Sequence, residues 1–118
     1  MTVEADIFSL LGSLTSNRVY PDVAPLSAAL PFIVYQQVGG EVVNFVDDVQ
    51  ADKKNGRFQV AVWASGRATA AALALQVEQR MVTASAFAAR PVGAPVSDYE
   101  EDTARYGSRQ DFSIWSTR

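Results

Sequence analysis

The apolar positions of this chain switch period several times. Between Thr2 and Thr15, Val3, Ile7, Leu10, Leu11 and Leu14 recur at helical spacing and make one stripe, which predicts a first helix. Thr2 is placed to cap it. Glu4 and Asp6 fall in the first turn, where the helix dipole favours negative charge. Residues 57–64, RFQVAVWA, alternate. Phe58, Val60, Val62 and Ala64 share one face, and Arg57, Gln59, Ala61 and Trp63 the other, so this is a strand with its Phe/Val side on the core. Helical spacing returns over Arg67–Ala84, with Ser65 as the expected cap. Ala70, Leu73, Val77, Met81 and Ala84 form the core stripe of this longest helix. Ala68, Ala72, Leu75 and Val82 form a second face of mostly small residues. Small side chains permit close approach to a sheet or to another subunit. Helix propensity alone also accounts for the alanines.

Between these elements, Asn17–Gly40 is a short extended segment, a proline-punctuated loop and an apolar strand. Pro21, Pro25 and Pro31 fix φ and push Tyr20, Ala24 and Leu30 toward extended geometry. Leu26–Leu30 is therefore at most a turn of helix. Pro31 stands at a permitted first strand position, and Phe32–Val38 follows as a central strand. In Glu41–Gly56, the run Val42–Val46 allows a short strand. The polar stretch after it ends in Asn55-Gly56, a turn dipeptide. This predicts a long hairpin with a mobile tip that includes Asp47, Asp48, Asp52, Lys53 and Lys54. Phe87–Ser97 reads as irregular extended chain around Pro91, Gly93 and Pro95. An acidic cluster follows at Asp98–Asp102, and then a closing strand over Tyr106–Trp115 with Phe112 and Ile114 facing inward. The expected fold is α+β: a mainly antiparallel sheet of about four to five strands with two helices packed on it, as one domain over residues 1–118.

Composition narrows the chemistry. The chain has 118 residues, 48% of them hydrophobic and 19% charged, which are globular values. Its net charge of −3, with the ten Lys and Arg residues scattered, disfavours a dedicated nucleic-acid binder. There is no cysteine and no histidine. That removes disulfides, thiol catalysis, a Ser-His-Asp triad and the usual zinc sites. No run is long enough to cross a membrane, and the acidic start, MTVEADIFSLLG, is not that of a signal peptide. No cofactor motif is present. Asp47 and Asp48 are adjacent, so in a strand they face opposite ways and make a poor acid/base pair. Glu100, Glu101 and Asp102 match no calcium-loop spacing and read better as a solvated turn. A carboxylate-only hydrolase is the remaining enzymatic alternative, and no site signature supports it. Trp63 and Trp115 both lie opposite the expected core face. If their strands are neighbours they form an exposed patch with Tyr35, the kind of cluster that anchors interfaces. Otherwise they belong to a second small core beneath the proline-rich loop or the first helix.

The order of these segments resembles the tail-terminator, or tail-completion, family of long-tailed bacteriophages and prophages. The segments that carry the resemblance are Arg18-Val19-Tyr20-Pro21, Leu30-Pro31-Phe32-Ile33-Val34-Tyr35, the strand ending Val62-Trp63, and Asp111-Phe112-Ser113-Ile114-Trp115, in that order over nearly the whole chain. The resemblance implies a non-enzymatic assembly protein in the virion tail, put together in the bacterial cytoplasm. It implies a ring, usually of six copies, that caps the tail tube and then offers a docking surface to the head or its connector. The expected partners are thus other copies of the chain, tail tube protein and head–tail connector protein, with no membrane and no sequence-specific nucleic-acid binding. A neck or connector component is the alternative within the same architecture. A ring needs head-to-tail contacts that close. The candidate subunit or partner contacts are Arg18, Tyr20, Pro21 and Pro31 of the loop, Tyr35, Trp63 and Trp115 of the aromatic side, and Ala68, Ala72 and Leu75 of the helix. Residues 41–56 match no family motif.

Overall fold

Thr2 opens the first helix as the sequence predicts: its Oγ1 accepts from the Ala5 N–H at 3.1 Å. The computed structural model describes residues 2–42 and 53–117. Helix α1 (Val3–Leu11) buries Val3, Ile7 and Leu11. It tightens into a 3-10 turn over Gly12–Leu14 rather than running on to Thr15. Thr15 is buried, and its hydroxyl donates to the Arg18 carbonyl at 3.0 Å, fixing the exit of the chain.

Strand β1 (Val19–Pro21) pairs in parallel with β2 (Phe32–Gln37). Strand β3 (Lys53–Ala64) lies antiparallel to β2, with Ile33 opposite Val62 and Tyr35 opposite Val60. Helix α2 (Arg67–Val82) follows, then β4 (Ala88–Pro91), β5 (Val96–Glu100) and the long β6 (Arg105–Thr117). The β3–β6 ladder runs from Lys53 opposite Thr117 to Ala64 opposite Tyr106 and is the spine of the sheet. Strands β4 and β5 share the far edge of β6. The result is a six-stranded sheet in the order β1-β2-β3-β6-β4, with β5 alongside β6. Only the β1–β2 pair is parallel, so the fold is α+β with a mostly antiparallel sheet.

Both helices cover one face of the sheet. Ile33 and Tyr35 of β2, Phe58, Val60 and Val62 of β3, and Phe112 and Ile114 of β6 are buried beneath Ile7, Leu11, Leu73, Val77 and Met81. The apolar alternation alone specifies this face, because a one-residue slip would turn every one of these side chains to solvent.

Several expectations change. Strands β4 and β5 replace the irregular segment expected around Pro91 and Pro95, raising the strand number to six. The long neighbour β6 offers a ladder that local propensity does not show. Asn55-Gly56 is not a turn, because both residues lie inside β3. The Asn55 side chain donates to Ser113 Oγ at 2.9 Å and accepts from the Glu41 N–H at 2.8 Å. Gly56 is there for closeness: a Cβ would meet the Phe58 ring at 2.7 Å. Lys53 and Lys54, placed in the hairpin tip by sequence, are the first residues of β3, opposite Thr117 and Ser116. Strands β2 and β3, which flank the expected hairpin, pair antiparallel, while Asp47, Asp48, Asp52 and all of the expected Val42–Val46 strand but Val42 lie outside the described residues. The cap of α2 is Gly66, not Ser65, and no side chain caps it.

Candidate interaction surfaces

The face of the sheet turned away from the helices carries the polar half of the alternation. Here Arg57 Nη2 pairs with Asp111 at 2.7 Å, and Gln59 Nε2 donates to the same carboxylate at 3.3 Å. Arg109 pairs with Asp98 at 3.4 Å. These cross-strand groups satisfy one another, and with Val92 to Val96 they line a shallow polar hollow of about 330 Å³ in the outer face.

One end of this face is aromatic. Phe32 is only 2% exposed although it points away from the helices. The Tyr20 ring meets it edge-on at 6.1 Å, and the Arg105 guanidinium lies 5.3 Å from its centroid. Trp63 sits opposite Phe32 in register and lies across Gly107, where a Cβ would meet the indole at 2.8 Å. Tyr20, Phe32 and Trp63 thus form a second small core next to the proline-rich loop. The exposed patch of Trp63, Trp115 and Tyr35 does not form. Trp63 is level with Gly107 and Trp115 with Asn55, eight residues away along β3, or roughly 27 Å at strand rise. Tyr35 is buried in the helix-covered core. Burial pushes its phenol above the ordinary value of 10.0, and the nearby Glu4 and Asp22 carboxylates add to the rise. Antiparallel pairing is the reason the two tryptophans separate: it puts the late end of one strand beside the early end of the other.

Of the loop residues, Arg18 spends its guanidinium on the Pro31 carbonyl, 3.0 Å from Nε, and is half-buried. Its role in the structure is to tie the loop shut. Tyr20 and Pro31 are half-buried and Pro21 is exposed. Between them the chain projects Val23, 77% exposed, and Leu26, 98% exposed. These two side chains wall a groove of about 310 Å³ whose floor includes Phe32, Val34 and Trp63. Asp22 and Glu100 stand at its rim, both exposed.

On the opposite side of the molecule, α2 shows an unusual outward face. Its solvent positions are Ala68, Thr69, Ala71, Ala72, Leu75, Gln76, Gln79 and Val82, with Leu75 55% exposed and no charge among them. All three charged residues of the helix are turned to the protein. Arg67 donates to the Gly107 and Asp98 carbonyls, both at 2.7 Å, and lies over the Tyr106 ring. Arg80 donates to the Leu10 carbonyl at 3.0 Å, and Glu78 accepts from Gln110 at 2.8 Å. A surface helix ordinarily carries its charges outward. Sequence reasoning found Ala68, Ala72 and Leu75 on this face. It missed that Arg67, Glu78 and Arg80 are spent internally, because nothing in their spacing shows which carbonyls they reach. It also missed Arg105 and Leu26, the latter because an isolated leucine among alanines carries no period.

Comparison with known proteins accords with this architecture. The sequence profile of the family described as tail completion protein gp17 matches residues 3–117. Among solved structures, a chain in the virion of a native gene transfer agent particle is similar, with a TM-score of 0.66 and 21% identity over 98% of this chain and 95% of that one. That likeness is one of fold. A search of curated protein sequences gave no match. With a profile match that spans nearly all of it, the chain belongs to the tail completion protein gp17 family and is a structural protein of the phage tail.

Proposed function

We propose that this protein caps the tail tube as a closed ring of identical subunits, six in number by resemblance to its family. The ring then presents the surface on which the head connector docks. The chain acts as one domain, by geometry and without a catalytic step, and assembles in the bacterial cytoplasm before it becomes part of the virion tail. The observation that carries this reading is the outward face of α2. A helix that directs all three of its charges inward and shows Ala, Leu, Gln and Val to water is shaped for a neighbour. Val23 and Leu26 on a loop stiffened by Pro21, Pro25 and Pro31 add a second exposed apolar surface, and stiffness lowers the ordering cost of a contact. Among the described residues, no group of three His, Cys, Asp or Glu side chains is placed to hold a metal.

Deletion of the gene in its phage or prophage tests the proposal. The expected particles are headless tails of uncontrolled length, with the protein restored to one tail tip on complementation. Tails of normal length that merely fail to join heads would favour the neck-component alternative.

A further inference from the structure

The edges of a sheet end in backbone groups that a fold either hides or leaves for a partner. At β1 they are hidden. The Ile33 N–H donates to the Arg18 carbonyl at 2.9 Å and the Asp22 N–H to the Tyr35 carbonyl at 2.8 Å, so Val19 and Pro21 turn their backbone outward. Pro21 has no N–H, and its carbonyl already accepts from the Val23 N–H at 2.7 Å. Strand β4 is blunted in the same way. The Val92 N–H donates to the Asp111 carbonyl at 2.9 Å, so by alternation Ala88 and Arg90 bond to β6. Ala89 and Pro91 face away, and Pro91 again lacks a donor.

Strand β5 has no such device. Stepping by twos from Asp111 along β6, Arg109, Gly107 and Arg105 turn their backbone to β5, opposite Val96, Asp98 and Glu100. Ser97 and Tyr99 therefore direct their N–H and C=O groups away from the sheet, about 6.8 Å apart. Neither residue has a backbone partner beyond the ladder among the described residues. Both are exposed, Tyr99 by 53%. No proline or lysine lies within β5, and it packs chiefly on β6. Two donors and two acceptors at strand spacing are a template for an added strand.

A second copy of this chain fits that template poorly. Antiparallel pairing of two β5 strands through Ser97 and Tyr99 sets Asp98 opposite Asp98, and like charges directly opposite destabilise a sheet. Strands β1 and β4 of another copy each bring one outward N–H, from Val19 and Ala89, where β5 presents two carbonyls. Charge describes the strand that does fit. Arg109 pairs with Asp98, and Arg105 stands opposite Glu100 in register. Beyond them Glu101 and Asp102 are exposed and form no ion pair among the described residues. A strand that runs along β5 past Glu100 meets these two carboxylates.

We propose that β5 takes an extended segment of another protein of the particle as an added strand, paired through Ser97 and Tyr99, and that this segment carries Lys or Arg where it passes Glu101 and Asp102. The pairing goes beyond the ring reading and does not depend on the number of subunits in the ring.

Proline tests it without touching the β6 ladder, because the N–H groups lost at positions 97 and 89 both face away. Ser97→Pro is expected to unfold in urea close to wild type and to lower the yield of complete particles at least tenfold. Ala89→Pro should leave that yield within twofold. In wild-type protein, amide exchange across residues 96–100 should slow by roughly tenfold or more between the isolated chain and complete particles. Benzoylphenylalanine in place of Tyr99 should photo-cross-link in those particles to a Lys- or Arg-bearing segment of a different protein. A folded Ser97→Pro protein that gives full particle yield overturns the proposal. So do unchanged exchange across β5 and a cross-link to a second copy of this chain. Should Ser97→Pro fail to fold, exchange and cross-linking decide alone.

Discussion

The two faces of the sheet come from the same strands and serve different ends. The inner face, under α1 and α2, is a continuous apolar core in which Phe112 and Ile114 are almost completely buried. The outer face is a set of paired charges with an aromatic corner. Alternation lets one strand do both, since successive residues point to opposite sides. The inner face supplies most of the stability and the outer one mainly shape, so substitutions on the two should differ in cost and in kind.

The largest effect is expected at the inner face. Phe112→Ala should cost about 3–5 kcal/mol by urea unfolding, from lost transfer energy plus a cavity. An outer-face substitution of equal cost would break the contrast. Gly107→Ala comes next. Its added methyl drives into the Trp63 ring, and overpacking of this kind costs about 1–3 kcal/mol. Trp63 emission should shift in the same variant, which places the strain on the outer aromatic corner.

Tyr35 probes the inner face through pH. Its phenol titrates above its ordinary value in the fold, so the unfolded chain loses that proton first. The stability linked to Tyr35 is present below about pH 10 and is lost as pH rises through the higher folded value. Thermal melts between pH 9 and 11.5 should show a steeper alkaline fall for wild type than for Tyr35→Phe. The outer pair Arg57–Asp111 should contribute far less. Arg57→Gln is expected to cost about 0.2–1 kcal/mol, and less in high salt. Smallest of all in stability is Leu75→Glu on the outward face of α2, within about 0.5 kcal/mol of wild type by the same melts.

The contrast between faces was largely legible beforehand. Strict alternation in Arg57–Ala64 and the stripes of the two helices gave the core directly, because periodicity records which side is buried. Less local facts were not legible. Ala88–Pro91 and Val96–Glu100 are strands only because β6 is long enough to carry both along one edge. Asn55-Gly56 has the composition of a turn, yet the twelve-residue β3–β6 register runs through it, with Asn55 bonded across to Ser113. On the aromatic side the sequence shows the residues but not their grouping. Trp63 and Trp115 belong to neighbouring strands, but their antiparallel direction sets them apart, and Phe32 and Tyr20 take the place of Trp115 and Tyr35 beside Trp63. Surface loops of this kind are legible by composition, but their partners depend on register.

Leu75→Glu also leads to the most direct test of the proposed role. Wild-type and Leu75→Glu proteins, shown to be equally stable, are each added to growing tail tubes, and the mass of the complex released from the tube end is measured by native mass spectrometry. The account predicts a closed complex of six wild-type chains on tubes that stop growing, and no such complex for Leu75→Glu. Wild-type protein that remains monomeric while the tubes lengthen unchecked would contradict it.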